Sequence, residues 1–322
     1  MHSISQHEAY LEAARARYAQ TGAGFMHSLS NAREFILRVI ETADVRSVCE
    51  IGSEGGLLSQ ELHRRYVAGQ IDKLTIIDPM PSDAVAAMSD GRGCDVRKAL
   101  SLEVLGDLPA HDLYIVDGDH NYFTVTRELE AIFANRSALV VMHDIAWPCS
   151  SRDMYYNPET IPPHERHPLS FDLALDPAHD DLVESGLESH GYYAVARKTG
   201  GPRNGVFTAL KDVAEKFDLE FDSIPALLGI GIVRHKDHTS SAALRKLLPT
   251  ADIQALLWRL EENRLSNWVA KSQVERELHL AREYQKGLEV QLAGGIGGWV
   301  LFKLMVKYAL TAFRLRSPSV NG

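Results

Sequence analysis

Acids and histidines that could act together fall in two short clusters, Asp117-Gly118-Asp119-His120 and His143-Asp144. Each follows an apolar run, Leu113 to Val116 and Ala138 to Met142. Such runs read as buried strands, which puts both clusters at the carboxyl ends of two successive strands. Open α/β sheets bind their ligands at those ends. Histidine titrates near neutrality, so His143 and His120 are candidate bases for deprotonating a hydroxyl, with Asp144 beside them. Asp119 and Asp144 supply oxygen ligands of the kind magnesium prefers. The competing reading leaves Asp117 and Asp144 as loop and helix caps and His143 as a satisfied buried histidine.

A third candidate stretch is Val45 to Gly56, VRSVCEIGSEGG. It reads as a buried strand, Ser47 to Ile51, then a glycine turn, then a helix from about Leu57. Glycine at 52, 55 and 56 lets the chain turn sharply and lets a ligand approach the backbone. The free N–H groups of the following helix face that ligand. The spacing G-x-x-G-G is not the dinucleotide fingerprint G-x-G-x-x-G. Glu50, at the strand end, would repel a pyrophosphate and attract a cation. The next strand, Lys73 to Asp78, ends in a carboxylate able to accept hydrogen bonds from both hydroxyls of a ribose. Asp95, in a short strand Asp95 to Arg97, is placed to meet an adenine amino group.

These residues need a scaffold, and the chain alternates strand and helix to provide one. Helices are expected over Ala9–Ala19, Ala32–Thr42, Leu57–Tyr66, Phe123–Phe133 and Asn204–Phe217. Such alternation argues a parallel sheet with helices on both faces. Two strands without a helix between them, Leu219–Ile224 and Leu228–Arg234, close it as an antiparallel pair. The segment 146–203 has little periodicity and carries Trp147, Arg152 and Tyr155. A segment that long and aromatic reads as a lid. Aromatic faces stack on sugar rings and arginine clamps anions, so these three are candidate substrate contacts.

With these residues in hand, the chain resembles the class I S-adenosylmethionine-dependent methyltransferases, and within them a group with D-G-D-H and H-D at strand ends. The matching residues are Glu50, Gly52 and Gly55, then Asp78, Asp117 to His120, and His143-Asp144, within residues 32 to 236. Glu54 stands where the commoner G-x-G-x-G motif has its middle glycine. The resemblance implies an α/β, Rossmann-like methyltransferase sheet, mostly parallel with a C-terminal antiparallel hairpin. It also implies S-adenosylmethionine as cofactor, held by Glu50, Gly52, Gly55, Asp78, Asp95 and Asp117. Methyl transfer to a hydroxyl of a glycan or natural product would follow, with magnesium as a candidate second cofactor. A nicotinamide-dependent oxidoreductase and a non-catalytic, membrane-associated adaptor are the alternatives.

Composition bounds these readings. The 322 residues are 45% apolar and 24% charged, as in ordinary globular proteins, and the net charge of −9 argues against broad nucleic-acid affinity. The three cysteines are far apart and odd in number, which fits a reducing cytoplasm better than a disulfide framework. No secretory signal opens the sequence. The expected division is 1–43, N-terminal helices; 44–238, methyltransferase domain; 239–291, helical extension; and 292–322, apolar and basic tail. Val274, Leu278, Ala281, Gln285, Leu288 and Leu292 keep heptad spacing, so 251–292 is a candidate homo-oligomer contact. The run 292–313 is the most apolar in the chain, and Lys303, Lys307 and Arg314 share one helical face. That pattern describes a helix lying on the inner membrane surface; an amphipathic helix packed on protein is the alternative.

Overall fold

The computed structural model describes residues 27–135, 137–293, 303 and 306–308. The expected helix Ala9–Ala19, Arg314 and most of the 292–313 run lie outside the described residues.

Strands β4 (Leu113–Val116) and β5 (Leu139–Met142) are apolar at every position because both faces are covered. Leu113, Ile115, Leu139 and Val141 enter one core, with α1 (Arg33–Thr42) and α2 (Leu57–Val67). Tyr114, Val116, Val140 and Met142 enter a second core on the other face, together with two later helices. Burying one such aliphatic side chain contributes about 1.5–3 kcal/mol, so both faces hold the strand ends rigid.

The seven-stranded sheet runs β3 (Cys94–Arg97), β2 (Lys73–Ile77), β1 (Ser47–Ile51), β4, β5, β10 (Ile230–His235), β9 (Leu219–Ile224). Strands β1 to β5 pair in parallel, and β10 is antiparallel to both β5 and β9. This is the Rossmann-like methyltransferase sheet with its closing hairpin. The chain builds outward from β1 through β2 to β3, then returns to β4 on the other side. A crevice therefore opens at the carboxyl ends of β1 and β4.

Short helices α3 (Asp83–Ala86) and α4 (Ser101–Val104) follow β2 and β3. After β4 comes α5 (Tyr122–Phe133), whose N-terminus is capped by the Asn121 side chain accepting from Thr124 N. α6 (Val206–Phe217) packs beside it on the second core. No side chain caps α1 directly. Ser28 instead caps the single 3-10 turn Leu29–Ala32 that leads into it.

The 146–203 segment has its own three-stranded antiparallel sheet, β6 (Met154–Tyr155), β8 (Ala194–Ala196) and β7 (Leu169–Ser170). Its strands are two or three residues long, too short to show alternation in sequence. Buried Asp153 ties it to the starts of α5 and α6, accepting from Tyr122 N, Gly205 N and the Tyr155 hydroxyl.

The expected strand from Leu228 starts two residues late, because Leu227, Leu228 and Gly229 all hold left-handed φ (52°, 64° and 86°). α7 (Ser241–Arg245) then leads to α8 (Ala251–Ala293). The chain divides into two compact units after Val269. In the second, Tyr284 stacks on Tyr308 with centroids 4.7 Å apart, and Val274 and Leu278 are exposed. No helix among the described residues is long and apolar enough to cross a membrane.

Candidate active site

The loop from β1 to α2 forms a cradle that side chains would fill. Gly52 holds φ +86°, and a Cβ there would lie 2.2 Å from the Asp117 carbonyl oxygen. Gly56 holds φ +81°, and its Cβ would meet Val85 Cγ2 at 2.5 Å. Gly55, expected in the same role, is not in the left-handed region, so Gly52 and Gly56 are the glycines the turn requires. Glu54 holds φ +45°, at the position where the resembling motif has glycine.

The cradle opens onto a narrow cleft lined by Ser30, Glu50, Ser53, Glu54 and Asp117. Glu50 is buried and accepts from Ser59 Oγ at 2.6 Å. Burial pushes its carboxyl up to about 8, and the Ser59 hydrogen bond offsets only part of that. It is therefore mostly neutral at pH 7 and would ionise when a cation arrives. Asp78 accepts from Ser53 N and Ser53 Oγ on one oxygen and from Met80 N on the other. A carboxylate offers about four acceptor sites, so Asp78 braces the loop and keeps capacity for a ligand hydroxyl. Asp95 departs from expectation. It sits two residues before the end of β3, half-exposed, and pairs with Arg97 at 2.7 Å rather than facing the crevice.

Across the crevice, Asp144, two residues past β5, holds φ +57°, a conformation sparsely populated by residues other than glycine. Its Oδ2 lies 2.8 Å from His120 Nε2 and 3.0 Å from His143 Nδ1. His143 Nδ1 is also 2.9 Å from Asp117 Oδ1, and its Nε2 is 2.5 Å from the Leu227 carbonyl oxygen. A carbonyl only accepts, so Nε2 carries a proton, and Nδ1 donates to the carboxylates. With both ring nitrogens so engaged, His143 offers no free lone pair to a substrate in this arrangement. Burial pulls it down, but Asp117 and Asp144 outweigh burial and hold it well above the usual histidine range. Burial likewise opposes the charge on His120, yet Asp144 raises it to about 9. Burial works against Asp144 too, but the two imidazoles keep it ionised.

Among the described residues, Asp117, His120 and Asp144 bring one ligand atom each within 4.8 Å of the others. Asp119, expected as a cation ligand, is turned away: its oxygens accept from His120 N and Thr124 Oγ1 at the start of α5. Two carboxylates and an imidazole fit a divalent cation, and suit manganese, iron or zinc better than magnesium. Buried Cys149 stands close by, its thiol pushed well up by burial and then by Asp144, which makes it inert.

The 146–203 segment corrects two further expectations. Arg152 is buried and donates to the carbonyls of Ala196 and Asp180, so it holds the small sheet together and clamps no anion. Tyr155 is fully buried, donating to Asp153 and accepting from His167 N. Neighbouring residues on a strand point to opposite sides, and its neighbour Tyr156 meets the site instead. Tyr156 packs edge-on against His120 at 5.6 Å and against Tyr193 at 6.2 Å. The paired tyrosines in sequence carried that signal. Trp147 is half-buried against the second core.

No family model and no curated protein matches the chain. Among solved structures it is similar to an SAH-bound methyltransferase from Podospora anserina, at 12% identity over 72% of this chain and 88% of that one, with a TM-score of 0.40. It is also similar to an O-methyltransferase family protein from Burkholderia thailandensis, at 9% identity over 74% and 61% of the two chains, TM-score 0.39. Human N-acetylserotonin methyltransferase in complex with SAM is a third, at 16% identity over 66% and 55%, TM-score 0.35. The strand order, rather than these likenesses, establishes the fold.

Proposed function

We propose that the protein is an S-adenosylmethionine-dependent O-methyltransferase acting on a hydroxyl of a glycan or natural-product acceptor. One observation carries this reading: a glycine cradle with buried Glu50 faces the Asp117–His120–Asp144 cluster across the switch point of the sheet. Glu50, Gly52 and Asp78 would hold the cofactor, which when bound supplies an electrophilic methyl group. Asp117, His120 and Asp144 would hold a divalent cation, which when bound makes an acceptor hydroxyl more acidic. His143 donates from both ring nitrogens and so fixes the two carboxylates in place. His120 gives up the proton it shares with Asp144 before it serves as ligand or base. Tyr156 presents an aromatic surface to the acceptor beside His120. The acceptor oxygen gains the methyl group and loses its proton.

Calorimetry with S-adenosylhomocysteine (SAH) and with NAD tests the cofactor class. SAH is expected to bind, and at pH 7 to release a proton from Glu50, so that affinity rises toward pH 8. Buffers of different ionisation enthalpy report that proton. Glu50→Gln should remove the release and weaken binding by about 1.5–3 kcal/mol, the size of a hydrogen bond to a charged group. Tight binding of NAD with none of SAH overturns the reading.

For the C-terminal region we propose peripheral membrane contact through 292–316 and self-association through 251–292. Full-length chain should co-sediment with anionic vesicles at low salt and a chain ending at Gln291 should not; equal recovery of both in the supernatant overturns the membrane contact. Sedimentation velocity showing a monomer at high concentration overturns the self-association.

A further inference from the structure

The first turns of α8, within the first compact unit, reach both walls of the site. Trp268 packs on the second core and stacks on His27, with ring centroids 5.8 Å apart and planes 9° apart. His27 Nε2 lies 3.5 Å from Glu54 Oε1, and Ser28 Oγ donates to Glu54 Oε2 at 2.6 Å. Glu54 is the left-handed residue of the glycine loop, and Leu29 and Ser30 line the cleft beside it. Two turns earlier on the same helix, buried Glu261 accepts from Leu228 N at 2.8 Å and pairs with Arg264. Leu228 belongs to the left-handed turn whose Leu227 carbonyl fixes His143. One rigid helix thus braces the cofactor loop at one point and the acid–histidine cluster at another.

We propose that this part of α8 is a latch on the cofactor cleft. Trp268, acting through His27, is a positioning residue that holds residues 27–30 against Glu54 and keeps the cleft closed over its ligand. The inference rests on reading that cleft as the S-adenosylmethionine site. A latch closes after the ligand enters, so it sets the rate of escape more than the rate of entry. Stopped-flow binding of SAH to the full chain separates the two rates.

Trp268→Ala and His27→Ala should each speed SAH dissociation about 2- to 12-fold, the worth of one aromatic pair, with association unchanged. Trp268→Phe should restore most of the slow dissociation. The double variant should be no faster than either single one, since both changes remove the same contact. His27 lies at the surface, so His27→Ala keeps the test valid should truncation of Trp268 damage the core. Wild-type dissociation in a folded His27→Ala, or additive effects in the double variant, overturns the latch while leaving the cofactor reading standing. Wild-type protein that binds NAD but no SAH overturns the cofactor reading and the latch with it.

Discussion

Asp144→Asn is expected to cost the fold about 3–5 kcal/mol, the range for breaking a buried ion pair from one side. The carboxylate faces two buried imidazoles at 2.8 and 3.0 Å through one oxygen; the amide oxygen could still accept there, but the charge that offsets the imidazoles would be gone. The cost should depend on pH in a direction fixed by His120, which burial opposes but Asp144 raises to about 9. A histidine raised in the folded state adds stability that is complete below its unfolded value near 6.5 and fades as pH climbs through 9. Urea unfolding should therefore show a larger penalty at pH 6 than at pH 9.5. The same variant should bind Mn2+ far more weakly than wild type by paramagnetic resonance, because one of three ligands has lost its charge. A penalty below about 1 kcal/mol at pH 6, a small part of the buried-pair range, would mean the cluster relaxes into solvent and the buried imidazolium description is wrong.

Gly52→Ala should be nearly as damaging, for a steric reason. The new Cβ would stand 2.2 Å from the Asp117 carbonyl oxygen, a backbone atom that cannot swing aside. Left-handed strain contributes about 1–3 kcal/mol and overpacking about 1–3 kcal/mol, so the sum is about 2–6 kcal/mol. Relief would have to come from moving the β1 or β4 loop, and SAH binding should be lost with either. Gly69→Ala is the internal control. Gly69 holds φ +70° with open space around its missing Cβ, so it reports strain without the clash. Equal destabilisation of the two variants, with SAH affinity intact in Gly52→Ala, would show that the loops separate freely.

Much of the scaffold was legible because its physics is local. Apolar runs at Leu113–Val116 and Leu139–Met142 announce strands covered on both faces, and the acids just past them announce the crevice. What stayed hidden depends on partners distant in sequence. His143 reads as a base until Leu227, 84 residues later, is seen to occupy its second nitrogen. Asp117 and Asp119 are chemically alike, and only the turn into α5 decides that Asp117 joins the cluster while Asp119 accepts from His120 N and the Thr124 hydroxyl. Tyr155 ends a two-residue strand and Tyr156 follows it, a stretch too short to show its phase. Leu228 looks like a strand residue by composition, but the turn is pinned from outside by Glu261.

That pinning bears on how the protein is made. Chains emerge from the ribosome N-terminus first and domains fold as units. β1, β4 and β5, with Glu50, Asp117, His120 and Asp144 at their ends, are all synthesised before Leu227 and Glu261 exist. Until then His143 has no carbonyl to donate to, and the left-handed turn has no carboxylate to hold it. A nascent or prematurely terminated chain lacking α8 would carry every acid and histidine of the cluster in a site that cannot close. On the latch proposed above, the site gains its last braces only when the first turns of α8 dock.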